Sequence, residues 1–161
     1  MASEYRVGHG FDAHRLVRGR KLILGGIEIR HSKGLLGHSD ADVVLHALVN
    51  ALLGALGAGD IGTHFPDNDP RYKGVSSALF LKDVMQMARK RRFNLINADI
   101  TIIAQEPKLS PHYGAMKSII AKHARIAESS INIKAATTEK LGWIGRGQGM
   151  AATAVVLLSR K

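Results

Sequence analysis

The stretch SDADVVLHALVNALLGAL, residues 39–56, decides the fold. Its apolar residues recur at the three- and four-residue spacing of a helix that buries one face. Ser39 is a suitable N-cap, and Asp40 and Asp42 suit the positive end of the helix dipole. Gly57 follows as a stop signal. The pattern predicts a helix from Ser39 to about residue 56 that packs on a core.

Strand and helix patterns continue on both sides of this segment. Residues 5–14 indicate a strand that opens into a glycine-rich functional loop, and Gly25-Gly26 indicates a hairpin. Further patterns predict strands at 21–24, 27–29, 93–103, 131–136 and 150–158, helices at 75–91 and 110–125 (Ser110 as N-cap, Pro111 in the first turn), and a mobile polar loop at 60–74. The order predicts an α+β fold in one domain, residues 1–161, with helices covering one face of a mixed sheet.

The composition excludes several classes of protein. The 161 residues are 45% hydrophobic and 22% charged, enough for one domain with a buried core. The chain has no cysteine, which excludes a disulfide scaffold, a thiolate zinc site, an iron–sulfur cluster and a cysteine nucleophile. No apolar run reaches the roughly 20 residues of a membrane span. The start, residues 1–6, lacks the apolar core of a secretory signal, so we expect a cytoplasmic protein without a membrane partner.

The net charge of +10 favours anionic partners. The longest basic cluster, Arg89-Lys90-Arg91-Arg92, is typical of a solvated helix end. Aromatic residues make up only 5% of the chain, too few for a platform that stacks nucleic-acid bases. We expect no specific nucleic-acid binding, although charge alone leaves an RNA-binding module open.

A carboxylate and two imidazoles are spaced as metal ligands. Asp12 and His14 lie on the same side of an extended segment, because side chains alternate along a strand. His46 sits on the border of the helix's apolar face. Three such ligands suit Zn²⁺ and leave its fourth position open. His38 and Asp42 precede His46 at intervals of four, which places them near metal or substrate. Spacing alone leaves open that His46 is an ordinary hydrogen-bonded core histidine.

Two further segments resemble phosphate-binding elements. KAATTEK, residues 134–140, leaves a strand and is followed by four glycines with Arg146 among them, which together supply hydroxyls, free N–H groups and a guanidinium. Glu139 could hold a hard cation such as Mg²⁺. Residues 104–110 lead into a helix N-terminus, where N–H groups can bind a base edge or a phosphate. A plain glycine-rich turn, and a metal-dependent phosphohydrolase, stay open on this basis.

Seven motifs, taken in order, point to one known family. They are GHGFDAH (8–14), GLLGHSDADVVLHAL (34–48), GDIG (59–62), FPDNDP (65–70), TIIAQ (101–105), TTEKLG (137–142) and GRG (145–147). In content and order the chain resembles the 2-C-methyl-D-erythritol 2,4-cyclodiphosphate synthases of the non-mevalonate isoprenoid pathway. The likeness covers nearly the whole chain. It implies a bacterial protein, or a plastid one if a transit peptide has been removed.

The resemblance implies a role for each matching residue. Asp12, His14 and His46 would bind one Zn²⁺ per chain, Glu139 would meet a Mg²⁺ or Mn²⁺ that bridges the diphosphate, and His38 and Thr137 would stabilise the transition state. The residues implied in substrate binding are Asp12, Ala13, His14, His38, Ser39, Asp60, Ile61, Gly62, Phe65, Pro66, Asp67, Asn68 and Asp69 for the erythritol and phosphate part, Ala104, Gln105, Glu106, Pro107, Lys108, Leu109 and Ser110 for cytidine, and Ala136, Thr137, Thr138, Glu139, Trp143 and Arg146 nearby.

The implied reaction is a cyclisation within a homotrimer. The 2-phosphate of 4-diphosphocytidyl-2-C-methyl-D-erythritol 2-phosphate would attack the β-phosphorus, and CMP would leave. Such chemistry needs positioning and charge neutralisation rather than a protein nucleophile. The sheets would surround a central channel, towards which Arg146 would point and where an isoprenoid diphosphate could bind.

Four positions depart from the family pattern. Asn50 stands where an aspartate is expected after the helix histidine, and Ala136 replaces a threonine near the phosphates. Trp143 replaces a phenylalanine, and Gln148 stands where an acidic residue often pairs with the arginine. None is a metal ligand, so the implied activity stands, whereas the last two leave the channel ligand open.

Overall fold

A computed structural model describes residues 3–160 of the chain; residues 1, 2 and 161 lie outside it, and with them part of the N-terminal segment tested above for a secretory signal. The strands are β1 (Glu4–Arg18), β2 (Leu22–Leu24), β3 (Ile27–Ile29), β4 (Lys33–Leu35), β5 (Asn94–Ile103), β6 (Ile131–Ala136) and β7 (Gly149–Arg160). The helices are α1 (Val43–Ala55), α2 (Ile61–His64), α3 (Ser77–Lys90), α4 (Tyr113–Ala124) and α5 (Gly142–Gly145), with single 3₁₀ turns at Pro70–Tyr72, Ser110–His112 and Glu128–Ser130. No helix within this part of the chain combines the length and apolarity needed to cross a membrane.

Five strands form a mixed sheet in the order β4-β1-β7-β5-β6. β1 runs antiparallel to β4 and β7, and β5 runs antiparallel to β7 but parallel to β6. β2 and β3 form the separate hairpin that Gly25-Gly26 indicated. The three long helices lie on one face of the sheet, where α1 packs on β1 and β7, α3 packs on α1, and α4 packs on β6. The predicted α+β fold with one covered sheet face is confirmed.

Helix α1 lies unusually close to strand β1. A Cβ atom at Gly8 would stand 1.9 Å from the carbonyl oxygen of Ala51, and one at Gly10 would stand 2.0 Å from that of Ala47. Only glycine therefore fits at these two positions. Eleven of the thirteen residues of α1 are buried, so the helix forms the centre of the core.

The opposite face of the sheet carries apolar side chains that nothing in the described chain covers. Tyr5, Val7 and Phe11 of β1 are 64%, 68% and 56% exposed, and Val155 of β7 is 43% exposed. Large apolar side chains grouped on one exposed face are typical of an interaction surface.

Two predicted boundaries around the first helix are wrong. β1 does not open into a loop at residue 14, because β4 and β7 pair with it as far as residue 18. The N-cap of α1 is Asp42 rather than Ser39, because the Asp42 carboxylate accepts the N–H groups of Val44 and Leu45. His38 and Asp42 therefore precede the helix and do not share a helical stripe with His46.

Two later segments also differ from prediction. Residues 60–74 are not an irregular loop, since they contain α2 and a 3₁₀ turn, capped by Asp60 and Asp69. Ser110 does not cap the fourth helix, because residues 110–112 form a 3₁₀ turn and α4 begins at Tyr113 without a side-chain cap.

Candidate active site

Asp12, His14 and His46 meet at one point between β1 and α1. The Asp12 Oδ2 atom lies 2.8 Å from His14 Nε2 and 3.1 Å from His46 Nδ1, and the two nitrogens are 3.1 Å apart. Among residues 3–160 these three are the one group of histidine and acidic side chains whose ligand atoms converge as a metal requires. Three electron-pair donors this close need a positive charge between them, so the residues fit a bound metal ion.

The second nitrogen of each ring is held by another group. His14 donates its Nδ1–H to the Leu36 carbonyl oxygen, 2.8 Å away, which presents Nε2 to Asp12. His46 Nε2 lies 2.8 Å from Ser77 Oγ and 3.2 Å from Ser39 Oγ. Metal-binding histidines are usually oriented by such contacts on the far nitrogen.

The ionisation of the pair Asp12 and His14 reflects their contact. Burial favours neutral Asp12, but its close polar contacts with His14 and His46 outweigh burial and lower the pKa of Asp12 to about 2. Burial likewise favours neutral His14, but the Asp12 carboxylate outweighs it and raises the pKa of His14 above 6.5. Without a metal, the cluster thus holds a proton where a cation can bind.

A cleft of about 580 Å³ opens over these three side chains. It is lined by Asp12, His14, Leu36, Gly37, His38, Ser39, His46, Ile61, Gly62, Phe65, Pro66, Asp67, Asn68, Tyr72 and Phe80. His38 donates from Nε2 to the Asp69 carbonyl oxygen at 3.0 Å. Phe65 stacks on Phe80 with ring centroids 4.4 Å apart, which ties the segment after α2 to α3. The volume suits a small-molecule ligand.

Most residues implied in binding the erythritol and phosphate part line this cleft, but three do not. Ala13 points to the other face of β1, next to Trp143 and Gln148. Asp60 accepts the N–H of Thr63 at 2.9 Å, and Asp69 pairs with Arg71 at 2.6 Å.

Asp42 is a structural residue: its side chain neither lines the cleft nor hydrogen-bonds a candidate metal ligand, so the prediction that it lies near the metal or substrate as a supporting contact is wrong. Its carboxylate is fully buried and accepts the N–H groups of Gly25 and Gly26 at 2.9 and 2.6 Å, in addition to capping α1. Burial, with the charge of Asp40, raises the pKa of Asp42 to about 6. Asn50, another departure noted in the sequence, accepts the Ile61 N–H at 2.9 Å and anchors α2.

The residues implied in binding cytidine and the second cation lie elsewhere, at the ends of the parallel strands β5 and β6. The Ala104 N–H donates to the Ala136 carbonyl at 3.0 Å, and the Lys140 N–H donates to Gln105 Oε1 at 3.1 Å. Thr137 donates its hydroxyl hydrogen to Glu139 Oε1 at 3.0 Å. One strand, β7, separates β5 from β1, and two strands separate β6 from β1. The backbones of the two regions therefore stand about 10 to 14 Å apart across the sheet.

No sequence pattern pointed to the site role of several residues. Ser77 and Asp40 support His46 from behind, and Tyr72 and Phe80 form an aromatic wall of the cleft. A serine at the start of a helix normally indicates a helix cap, and aromatic residues at helical spacing normally indicate core positions. Only the packing of α3 against α1 brings them to the site.

The matched family and relatives agree with this geometry. A family model described as the YgbB family matches residues 5–159. The chain belongs to the YgbB family. Within it, the chain is 58% identical to the 2-C-methyl-D-erythritol 2,4-cyclodiphosphate synthase of Geobacillus kaustophilus and 57% identical to that of Geobacter sulfurreducens, in each case over 97% of this chain and 99% of the relative. The resemblance found in the sequence is confirmed.

Solved structures similar to this chain have the same fold. The bifunctional IspDF from Campylobacter jejuni matches with a TM-score of 0.95 and 45% identity, over 99% of this chain and 43% of that one. IspF from Plasmodium falciparum, solved as a CDP complex, matches with a TM-score of 0.86 and 36% identity, over 100% of this chain and 99% of that one.

Proposed function

We propose that the chain converts 4-diphosphocytidyl-2-C-methyl-D-erythritol 2-phosphate to 2-C-methyl-D-erythritol 2,4-cyclodiphosphate and CMP. It is a lyase of isoprenoid precursor biosynthesis, and residues 1–161 act as one catalytic domain. The observation that carries the assignment is the convergence of Asp12, His14 and His46 beneath the cleft, in a chain 58% identical to a named synthase.

The reaction forms one phosphorus–oxygen bond and breaks another. An oxygen of the 2-phosphate attacks the β-phosphorus, the bond to the bridging oxygen breaks, and CMP leaves with that electron pair. Asp12, His14 and His46 would hold Zn²⁺, which would supply Lewis-acid charge at the diphosphate when bound. The cleft residues hold the erythritol part, and His38 and Thr137 stabilise the charge that develops. Exclusion of water by the wall formed by Phe65, Tyr72 and Phe80 favours cyclisation over hydrolysis.

The cytidine part would bind at residues 104–110. Glu139, with Thr138 and Ala136 beside it, would hold Mg²⁺ or Mn²⁺, which would neutralise charge on the diphosphate. The exposed Glu139 carboxylate, bonded to Thr137, and the hydroxyls around it support this assignment. The CDP bound to the Plasmodium falciparum relative supports a cytidine nucleotide as ligand.

The complete site forms between chains of a homotrimer. Two features support this: the uncovered apolar face of β1 and β7, and the separation of about 10 to 14 Å between the metal region and the nucleotide-binding residues of one chain. A cyclic trimer would bury the face and bring the metal region of one protomer to the cytidine region of the next. Arg146, which shares a small pocket with Arg15 and Lys33, would bind an isoprenoid diphosphate in the central channel.

Metal analysis combined with a product assay tests the assignment. The purified protein should contain one Zn²⁺ per chain, and incubation with substrate and Mg²⁺ should give CMP and the cyclic diphosphate in equal amounts by ³¹P NMR. CMP without the cyclic product would instead identify a phosphohydrolase. Specific nanomolar binding of RNA at physiological salt, without turnover, would indicate the RNA-binding class.

A further inference from the structure

The nitrogen of His46 that faces away from the metal position meets a buried serine. Ser77, the first residue of α3, is fully buried, and its Oγ lies 2.8 Å from His46 Nε2. The other neighbour of this nitrogen, Ser39 Oγ, is farther away at 3.2 Å. Both contacts hold the ring, but only Ser77 is in turn held by a charged group.

Asp40 fixes the direction of the Ser77 hydroxyl. The Ser77 N–H donates to Asp40 Oδ2 at 3.0 Å, and the Ser77 hydroxyl makes a short hydrogen bond to Asp40 Oδ1. An ionised carboxylate can only accept hydrogen bonds. The Ser77 hydrogen therefore points at Asp40, and the Ser77 oxygen is left to accept a hydrogen from His46.

The tautomer of His46 follows from the direction of these hydrogen bonds. If Ser77 accepts, the hydrogen of neutral His46 is on Nε2, and the lone pair of Nδ1 faces Asp12 and His14. The opposite tautomer would place an N–H where a metal must bind. Ser39 is compatible with this arrangement, since its Oγ accepts the Ala41 N–H at 3.2 Å and its own hydroxyl hydrogen can point to Ser77 Oγ, 3.5 Å away.

We infer that Asp40 and Ser77 form a positioning pair that selects the metal-binding tautomer of His46 and fixes the orientation of its ring. The inference rests on the proposed metal site. The pair touches neither substrate nor metal, and it acts only through His46. Contacts of this kind are worth roughly 10- to 100-fold in metal affinity.

Two variants and a matched control test the pair. Ser77→Ala removes the acceptor, and Asp40→Asn lets an amide donate to Ser77, which can then donate to Nε2 and move the hydrogen to Nδ1. Each should weaken Zn²⁺ binding by about 10- to 100-fold, measured by competition with a chelator. The control is Ser76→Ala, which removes a bond to Ala78 N at the same helix end without touching His46. Its Zn²⁺ affinity should stay within twofold of wild type.

The tautomer itself is measured by ¹⁵N NMR of metal-free protein at a pH where His46 is neutral. Wild type and Ser76→Ala should show hydrogen on Nε2, whereas Asp40→Asn should gain the Nδ1–H form. Two results would overturn the proposed role of Asp40 and Ser77. One is a hydrogen on Nδ1 in wild type, and the other is unchanged Zn²⁺ affinity in both Ser77→Ala and Asp40→Asn. If instead His46→Ala binds Zn²⁺ as wild type does, the proposed metal site fails, while the NMR result still decides the role of the pair.

Discussion

The metal half of the molecule, formed by β1, α1 and residues 61–80, differs from the nucleotide half, formed by residues 104–110 and 136–140. In the metal half the key side chains are buried or half-buried and are held from behind by other elements. In the nucleotide half Thr137 and Glu139 are exposed and bond mainly to each other. In the proposed trimer, one chain would therefore supply a preformed metal site, whereas its nucleotide site would be completed by a neighbour.

The largest effect should come from removing a ligand of the metal half. His46→Ala should reduce Zn²⁺ content from one per chain to near zero and lower turnover by about a thousandfold or more, since metal charge is worth several kcal/mol at the transition state. The fold should persist, as judged by circular dichroism. His123→Ala, at the far end of α4, should keep both zinc and turnover. Full zinc content in His46→Ala would remove it from the ligand set.

Complementation tests whether the two halves of one site belong to different chains. His46→Ala and the double variant Thr137→Ala, Glu139→Ala should each be inactive alone. Refolded together in equal amounts as mixed trimers, about a quarter of the interfaces pair two intact halves, so about a quarter of wild-type activity should return. Activity that stays at the level of the separate variants would place both halves in one chain, and a monomeric mass by light scattering would exclude the shared site directly.

The pH dependence of the free energy of unfolding of the metal-free protein tests whether Asp12 and His14 are already paired before a metal binds. The lowered pKa of Asp12 stabilises the fold above pH 3.8, and this contribution is lost as pH falls towards 2. The raised pKa of His14 stabilises it below pH 6.5, and this is lost as pH rises through that raised pKa. The stability difference between wild type and Asp12→Asn should therefore be largest between these limits, at about 2 kcal/mol by urea unfolding. Asp42 is present in both proteins, so its contribution cancels in the stability difference. A stability difference that does not change with pH would contradict the pairing of Asp12 with His14.

The smallest effect distinguishes two aspartates at the rim of the metal half. Asp60→Ala should cost about 1 kcal/mol of stability as well as activity, because it removes the cap of α2. Asp67→Ala should lower turnover with almost no change in melting temperature, because its side chain lines the cleft and is exposed. Equal stability losses in both would indicate a structural role for Asp67.

The parts of the fold that the sequence predicted are those set by local patterns. The helix at 43–55 and the hairpin at Gly25-Gly26 follow from periodicity and turn chemistry, and Asp12, His14 and His46 stand out by residue type and spacing. The cap was misassigned because Asp42 is fixed by a contact with the distant hairpin. The separation of the two halves was hidden because it depends on β7, from the end of the chain, inserting between β1 and β5.

The two glycines of β1 fix the distance between β1 and α1, and thereby the spacing of the candidate metal ligands that these two elements carry. Gly10 lies two residues before Asp12 on the same face, and it touches the carbonyl of Ala47, the neighbour of His46. A methyl group there would have to move from 2.0 Å to at least about 3.4 Å from that oxygen, pushing α1 outward by an ångström or more. Metal sites accept errors of only about 0.2 Å in ligand distance. Alanine at position 10 should therefore alter metal selectivity before it unfolds the protein, and transplanting the three ligands to another scaffold requires transplanting this narrow gap as well.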